Sequence, residues 1–238
     1  MPRRPRESQV VPHFPHHVTL RGNNRRRLFS YPGDYARFIS FVVAALERCD
    51  CRLHALTLMA NHVHLIVTPA SAGALAAFVQ RFAQAYAQWR NRRRDSSGKL
   101  FEERYWCRPL LTAEQVASAT AYVDLNGWRA GIEHNPFAYR WSTGAIHAGE
   151  PGRSGVPPAA WTPSAWYVEL GASPEERAAV YVDFIRAYIA LPRDEAGGGP
   201  EFEASVRPYR RRVERPDGTC ALEQAAVYAA PRQSKIRT

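Results

Sequence analysis

The sequence predicts an α+β fold, a ferredoxin-like antiparallel sheet with helices packed on it, followed by a mainly helical C-terminal extension. Two patterns support this: strand-like and helix-like stretches follow one another in the order β, α, β, β, α, β, α, and two of the strands are joined by a two-residue turn. That order suits an antiparallel-type sheet better than a doubly wound parallel one.

His17 to Arg21 (HVTLR) alternates as a strand should, and Gly22-Asn23-Asn24 turns the chain after it. A helix is expected from Asp34, where Tyr35, Phe38, Ile39, Phe41, Val42, Ala45 and Leu46 make one apolar face. Arg52 to Met59 and His62 to Val67 read as the two arms of a hairpin around Ala60-Asn61. From Gly73 to Arg94 the residues Leu75, Phe78, Val79, Phe82, Tyr86 and Trp89 recur at helical spacing, and terminal arginines complement the helix dipole. After the loop Asp95-Ser96-Ser97-Gly98, an extended stretch lies between Leu100 and Leu111. Thr112 then caps a helix expected to run to about Asn126.

The ferredoxin-like core is expected over roughly residues 10–148, within a first domain of residues 1–148. Residues 149–160 carry Pro151, Gly152, Gly155, Pro157 and Pro158 and read as a linker. In the extension, 161–196, Ser173-Pro174-Glu175-Glu176 supplies a cap, a first-turn proline and a capping-box glutamate ahead of Val180, Phe184, Ile185, Tyr188 and Ile189. Gly197-Gly198-Gly199-Pro200 opens a basic tail, 197–238, with too few apolar clusters to predict a folded unit.

The chain has 238 residues, 45% of them hydrophobic, enough to bury a core. It contains no apolar run long enough to span a membrane and no signal-peptide pattern, so a cytoplasmic address is expected. Cys49, Cys51, Cys107 and Cys220 lack paired spacing and read as free thiols. A net charge of +10 favours a polyanionic partner, and the charge is clustered. Arg21, Arg25, Arg26 and Arg27 form one group, Arg90, Arg92, Arg93 and Arg94 a second, and residues 207–212 hold four more arginines. The first two groups are the candidate track for a nucleic-acid backbone, the alternative being solvated charged turns.

Chemistry concentrates in Asn61-His62-Val63-His64-Leu65-Ile66-Val67. Alternate strand residues share a face, so His62 and His64 point one way while Val63, Leu65 and Val67 anchor the strand in the core. Two such imidazoles can grip a divalent ion, or can be a satisfied pair on a half-buried strand. On the helix after Thr112, Val116, Thr120 and Val123 form one stripe, and Gln115, Ser118, Tyr122, Asn126 and Arg129 another. That puts Tyr122 off the apolar face with the amide of Asn126 one turn on. Two histidines and an amide oxygen would leave positions for water and a phosphate oxygen on Mg²⁺ or Mn²⁺. A surface tyrosine beside a helix-end amide is the plainer reading.

His62-Val63-His64 resembles the His-hydrophobic-His motif of the HUH nuclease superfamily. The wider pattern is similar to its single-tyrosine transposases, especially the REP-associated tyrosine transposases. The matching stretches are His17 to Gly22, Asn61 to Val67, Gly98 to Phe101 with Arg104-Tyr105, Tyr122 to Gly131 (YVDLNGWRAG) and Tyr139-Arg140-Trp141-Ser142. They cover about residues 10–148 in the family's order, with Gly127-Trp128 where the family usually has Pro-Val.

The resemblance implies Tyr122 as nucleophile, Asn126 as third metal ligand beside His62 and His64, and cleavage of single-stranded or hairpin DNA through a 5′-phosphotyrosine. Tyr86, on a core stripe, and Tyr105, on an extended stretch, rank behind Tyr122. A homodimer is compatible with this reading, as is a monomer. A DNA-binding regulator that no longer cuts is the alternative, although both histidines, Tyr122 and Asn126 are retained. A metal-dependent hydrolase of small phosphates would need neither the tyrosine nor so basic a surface.

Overall fold

Four strands, His16–Arg21 (β1), Cys51–Met59 (β2), His62–Pro69 (β3) and Trp106–Pro109 (β4), make one antiparallel sheet in the order β2-β3-β1-β4. With helices Pro32–Leu46 (α1) and Ala72–Arg93 (α2) in the two crossovers, this is the ferredoxin-like order the sequence predicts. The structure, a computed structural model, describes residues 9–102 and 104–190. The basic tail, with its arginines at 207–212, lies outside the described residues.

Strand parity divides the sheet into two faces. Val18, Leu20, Leu56, Leu58, Val63, Leu65 and Val67 point into a core with Phe38, Val42, Leu75, Phe78, Phe82 and Tyr86 of α1 and α2. A bulge between Leu53 and Ala55 resets the parity of β2, so Ala55 shares the other face with Ile66. No signal in the alternation marks that bulge. It leaves the His54 imidazole 2.8 Å from both the Thr68 hydroxyl and the Thr162 carbonyl.

The second face is covered by Ala113–Asp124 (α3), the short helices Asn126–Arg129 (α4), Gly144–His147 (α5) and Ala165–Val168 (α6), and the long helix Pro174–Ala190 (α7). Thr112 caps α3 by accepting from Gln115 N at 3.3 Å, as expected. The helix stops at Asp124, two residues earlier than expected, and Leu125 separates it from α4. Nor is the stripe holding Gln115 and Tyr122 open to solvent: most of α3 is buried and Tyr122 is half-buried, because α6 and α7 pack over it.

Asp124 ties these layers together. Its carboxylate accepts from Thr143 Oγ1 at 2.7 Å, His147 Nδ1 at 2.7 Å and Tyr181 Oη of α7 at 2.6 Å, all buried. Tyr167 Oη of α6 donates to the His147 carbonyl at 2.7 Å. Residues 139–143 and 161–162 run along the outer edge of β2: Leu58 N donates to Trp141 O, Thr143 N to Leu56 O and Thr162 N to Leu53 O. The Pro/Gly-rich stretch 149–160 joins those two segments, with Val156 buried and Gly155 pressed against the Trp141 ring.

Candidate active site

Register builds the site. Thr19 of β1 and Thr57 of β2 lie directly opposite His64, and Arg21 and Met59 lie opposite His62, so all six side chains share the face that α3 covers. Thr57 Oγ1 donates to the Val123 carbonyl at 2.6 Å, which sets α3 above the histidines. The Tyr122 ring then stands edge-on to His64, with centroids 5.3 Å apart, and 5.9 Å from His17. His62 and His64 are 4.9 Å apart and nearly perpendicular.

Each imidazole has one nitrogen engaged. Nδ1 of His62 lies 2.7 Å from Asn61 Oδ1 and donates to it, because an amide oxygen can only accept. Nδ1 of His64 lies 3.0 Å from His17 Nε2 and 3.1 Å from Thr19 Oγ1. Nε2 of His64 is buried without a hydrogen-bond partner among the described residues. The tautomer with its hydrogen on Nδ1 satisfies this arrangement and leaves Nε2 a lone pair. Burial, then His17 and His62, holds His64 well below the ordinary histidine range, and burial, then Arg21, lowers His62. Burial with Arg108 takes His17 to about 3. All three rings are therefore neutral at pH 7, the form in which imidazole binds metals.

Among the described residues no group of three His, Cys, Asp or Glu side chains could hold a metal. A set of two histidines and an amide falls outside that class, and the orphaned His64 Nε2 is the observation that fits it. Asn126, largely buried on α4, turns its NH₂ back to the Tyr122 carbonyl at 2.6 Å, which leaves Oδ1 as its acceptor. The turn depends on Gly127: a Cβ there would lie 2.4 Å from the Tyr139 ring. A larger residue in place of Gly127 would meet that ring. Tyr139 donates its hydroxyl to Leu58 O at 2.7 Å, so the YRWS segment is tied to β2 while its tyrosine ring packs against Gly127 of α4.

The competing tyrosines are elsewhere. Tyr86 is fully buried between α1 and α2 and donates to the Leu28 carbonyl at 2.8 Å. Tyr105 lines a cavity of about 350 Å³ on the α2 side with Leu20, Val79 and Phe101.

The basic residues divide. Arg21, Arg25 and Arg27 are exposed and Arg26 is partly so, on a loop held against the β2–β3 turn by Gly22 N to Asn61 O and Leu28 N to Ala60 O. Arg25 adopts a left-handed φ of 57° there, after Asn24 at 53°. Arg90, by contrast, is buried and donates to the carbonyls of Leu28 and Arg27 at 2.9 and 2.8 Å, so it shapes that loop from below. Arg94 pairs with Asp34 at 3.1 Å, while Arg92 and Arg93 are exposed.

Sequence reasoning passed over His17 and Thr19 as site residues, although strand parity puts them on one face with Arg21. It also passed over Trp106, half-exposed on β4 with its ring 5.4 Å from His17, and the Asp124 hub, whose partners come from distant segments.

The family described as "Transposase IS200 like" matches residues 10–126 of this chain. Those residues belong to that family. His62, His64, Tyr122 and Asn126 all lie inside the transposase segment; α4 beyond Asn126 and helices α5 to α7 lie outside it. Among solved structures, a REP-associated tyrosine transposase bound to a REP hairpin is 14% identical, with a TM-score of 0.49 over 69% of this chain and 92% of that one. No curated protein matches the chain. No helix among the described residues is long and apolar enough to cross a membrane.

Proposed function

We propose that this transposase-family chain is a metal-dependent single-strand DNA endonuclease and strand transferase acting on single-stranded or hairpin DNA through a phosphotyrosine. The observation that carries the reading is the cluster of His62, His64 and Tyr122, in which the ring of one tyrosine meets the imidazole that has a buried nitrogen without a partner. Tyr122 is the nucleophile: its oxygen bonds to phosphorus at the 5′ side of the scissile bond, the phosphorus to 3′-oxygen bond breaks, and the released 3′-hydroxyl carries a proton. The covalent ester conserves the bond energy, so another 3′-hydroxyl can reverse the attack and join strands.

His62, His64 and the Asn126 oxygen would hold Mg²⁺ or Mn²⁺, which would supply polarisation of a phosphate oxygen. His17 and Thr19 fix the orientation of His64. Burial raises the Tyr122 phenol above its usual range, against the pull of Arg129, so the phenol is not activated by its protein surroundings alone. Arg21, Arg25, Arg26, Arg27, Arg92 and Arg93 provide the exposed charge for a DNA backbone, and Arg90 and Arg94 hold that surface in shape.

The test is a labelled single strand or hairpin with Mn²⁺, followed by peptide mapping of any protein–DNA adduct. The adduct should map to Tyr122; Y122F should bind DNA without forming it, and H62A or H64A should lose cleavage while folding. An adduct on Tyr86 or Tyr105, or normal cutting by Y122F or by the double histidine variant, overturns the assignment. DNA binding with no adduct under any metal would favour the non-cleaving regulator.

A further inference from the structure

We propose that Arg129 is the side chain that binds the scissile phosphate, and that α7 completes the site by holding Arg129 in place through Tyr188. This rests on the reading of Tyr122 as nucleophile. Both Arg129 and Tyr188 lie beyond the residues matched by the transposase family.

The guanidinium carbon of Arg129 lies 5.5 Å from the centroid of the Tyr122 ring and 5.5 Å from that of Tyr188. Two aromatic rings flank the cation, and a ring face attracts it without accepting a directional hydrogen bond in the guanidinium plane. Nη1 of Arg129 is buried and has no hydrogen-bond partner among the described residues. A guanidinium has five N–H donors in a planar fork, and a buried donor left unpaired is costly. A partner that arrives with the substrate removes that cost.

Asp124, the buried acid five residues before Arg129, is already engaged. Both carboxylate oxygens of Asp124 are occupied by Thr143, His147 and Tyr181, and no ion pair to Arg129 is formed among the described residues. The unmet chemistry is therefore that of an anion with planar acceptors beside the Tyr122 ring, and a phosphodiester supplies it.

Helix α7 is what keeps the fork there. Tyr181 is pinned to Asp124 at 2.6 Å, and Tyr188, seven residues on and so on the same side of α7, is carried to Arg129. As the tyrosine oxygen bonds to phosphorus and the 3′-oxygen leaves, charge grows on the non-bridging oxygens, and Arg129 donates to them without giving up a proton. Arg129 is thus a catalytic residue, and Tyr188 a positioning residue that acts through it.

The experiment uses the full chain, a labelled hairpin with a single-stranded flank, and Mn²⁺. It measures the single-turnover rate of adduct formation, and DNA affinity separately without metal. R129A should slow adduct formation about 100-fold while affinity changes by less than about threefold, the size expected for losing one preorganised donor. Free guanidinium ion added to R129A should restore part of the rate and should do nothing for Y122F. R129K, which keeps the charge and loses the fork, should remain at least about tenfold slow. Y188F should cut normally because the ring is kept, and Y188A should be slow. Normal cutting by R129A or R129K, a rate loss in R129A matched by its loss of affinity, or a folded R129A that guanidinium does not rescue, would overturn the proposal. Should R129A fail to fold, R129K and the Tyr188 pair decide it. A wild-type chain that forms no adduct at Tyr122 sinks the nucleophile reading and this proposal together; a normal wild-type adduct with unaffected Arg129 variants sinks this proposal alone.

Discussion

Asp124→Ala should be among the most damaging single substitutions in the chain, although Asp124 touches no site histidine. The carboxylate is almost wholly buried and accepts from three side chains, His147, Tyr181 and Thr143, at 2.6 to 2.7 Å. Removing one partner of a buried charged pair costs about 3 to 5 kcal/mol, because the remaining groups stay desolvated and unpaired. The lower half of that range is the expectation here, since His147 keeps a contact at 3.3 Å from Trp161 Nε1. With total stability of about 5 to 15 kcal/mol for a domain, that is a large fraction. It corresponds to a melting temperature lower by roughly 6 to 16 °C for a chain of this size. Tyr181→Phe removes one of the three bonds and keeps the ring, so it should cost about 1.5 to 3 kcal/mol. The assay is urea unfolding followed by tryptophan fluorescence, with a double-mutant cycle between Asp124 and Tyr181. A loss below about 1 kcal/mol for D124A, or strict additivity in the cycle, would refute the idea that this carboxylate joins α3 to α7.

Gly127→Ala forces a Cβ to within 2.4 Å of the Tyr139 ring, so it should cost about 1 to 3 kcal/mol and shift Asn126; melting curves and adduct yield should fall together, and wild-type values for both would dismiss the packing argument. DNA affinity should fall steeply with salt, and R26A/R27A should reduce the slope of log K against log salt by about 0.7 per lost phosphate contact on single strands; a flat titration would count against the arginine loop. His54 is held at about 4, first by burial, so it is neutral in the fold and charges near pH 6.5 when unfolded. Its contribution is complete above pH 6.5 and shrinks as pH falls from there toward 4, up to about 3 kcal/mol in all. Urea midpoints for wild type and H54Q should therefore converge in acid, and parallel pH profiles would disprove it.

The sheet and its first two helices were legible because each side chain there answers to one periodicity. His62 and His64 could be paired from the sequence for the same reason: a strand fixes which residues share a face. The partners were harder to find. His17 and Thr19 meet His64 only through the β1–β3 register, which depends on how far apart two segments of chain are paired. Asp124 sits beside Tyr122 in the motif, yet its three partners come from 19 to 57 residues further along, and no local pattern encodes that. Arg90 shows the opposite failure. In a cluster of arginines it reads as surface charge, but helical phase turns it under the loop it supports. The stretch 149–160 reads as a linker from its prolines and glycines, and in the fold those residues let the chain pass closely over Trp141.

The backbone groups of β2 that face away from β3 are already bonded to residues 141, 143 and 162, so that margin of the sheet cannot recruit a strand from a neighbouring molecule. Growth of the sheet is left to β4, which is four residues long and ends in Pro109, a residue with no amide hydrogen to offer. A protein that must stay dispersed while carrying a dense hydrophobic sheet is thereby protected at both margins: one is sealed by its own chain, and the other is too short and too interrupted to template aggregation.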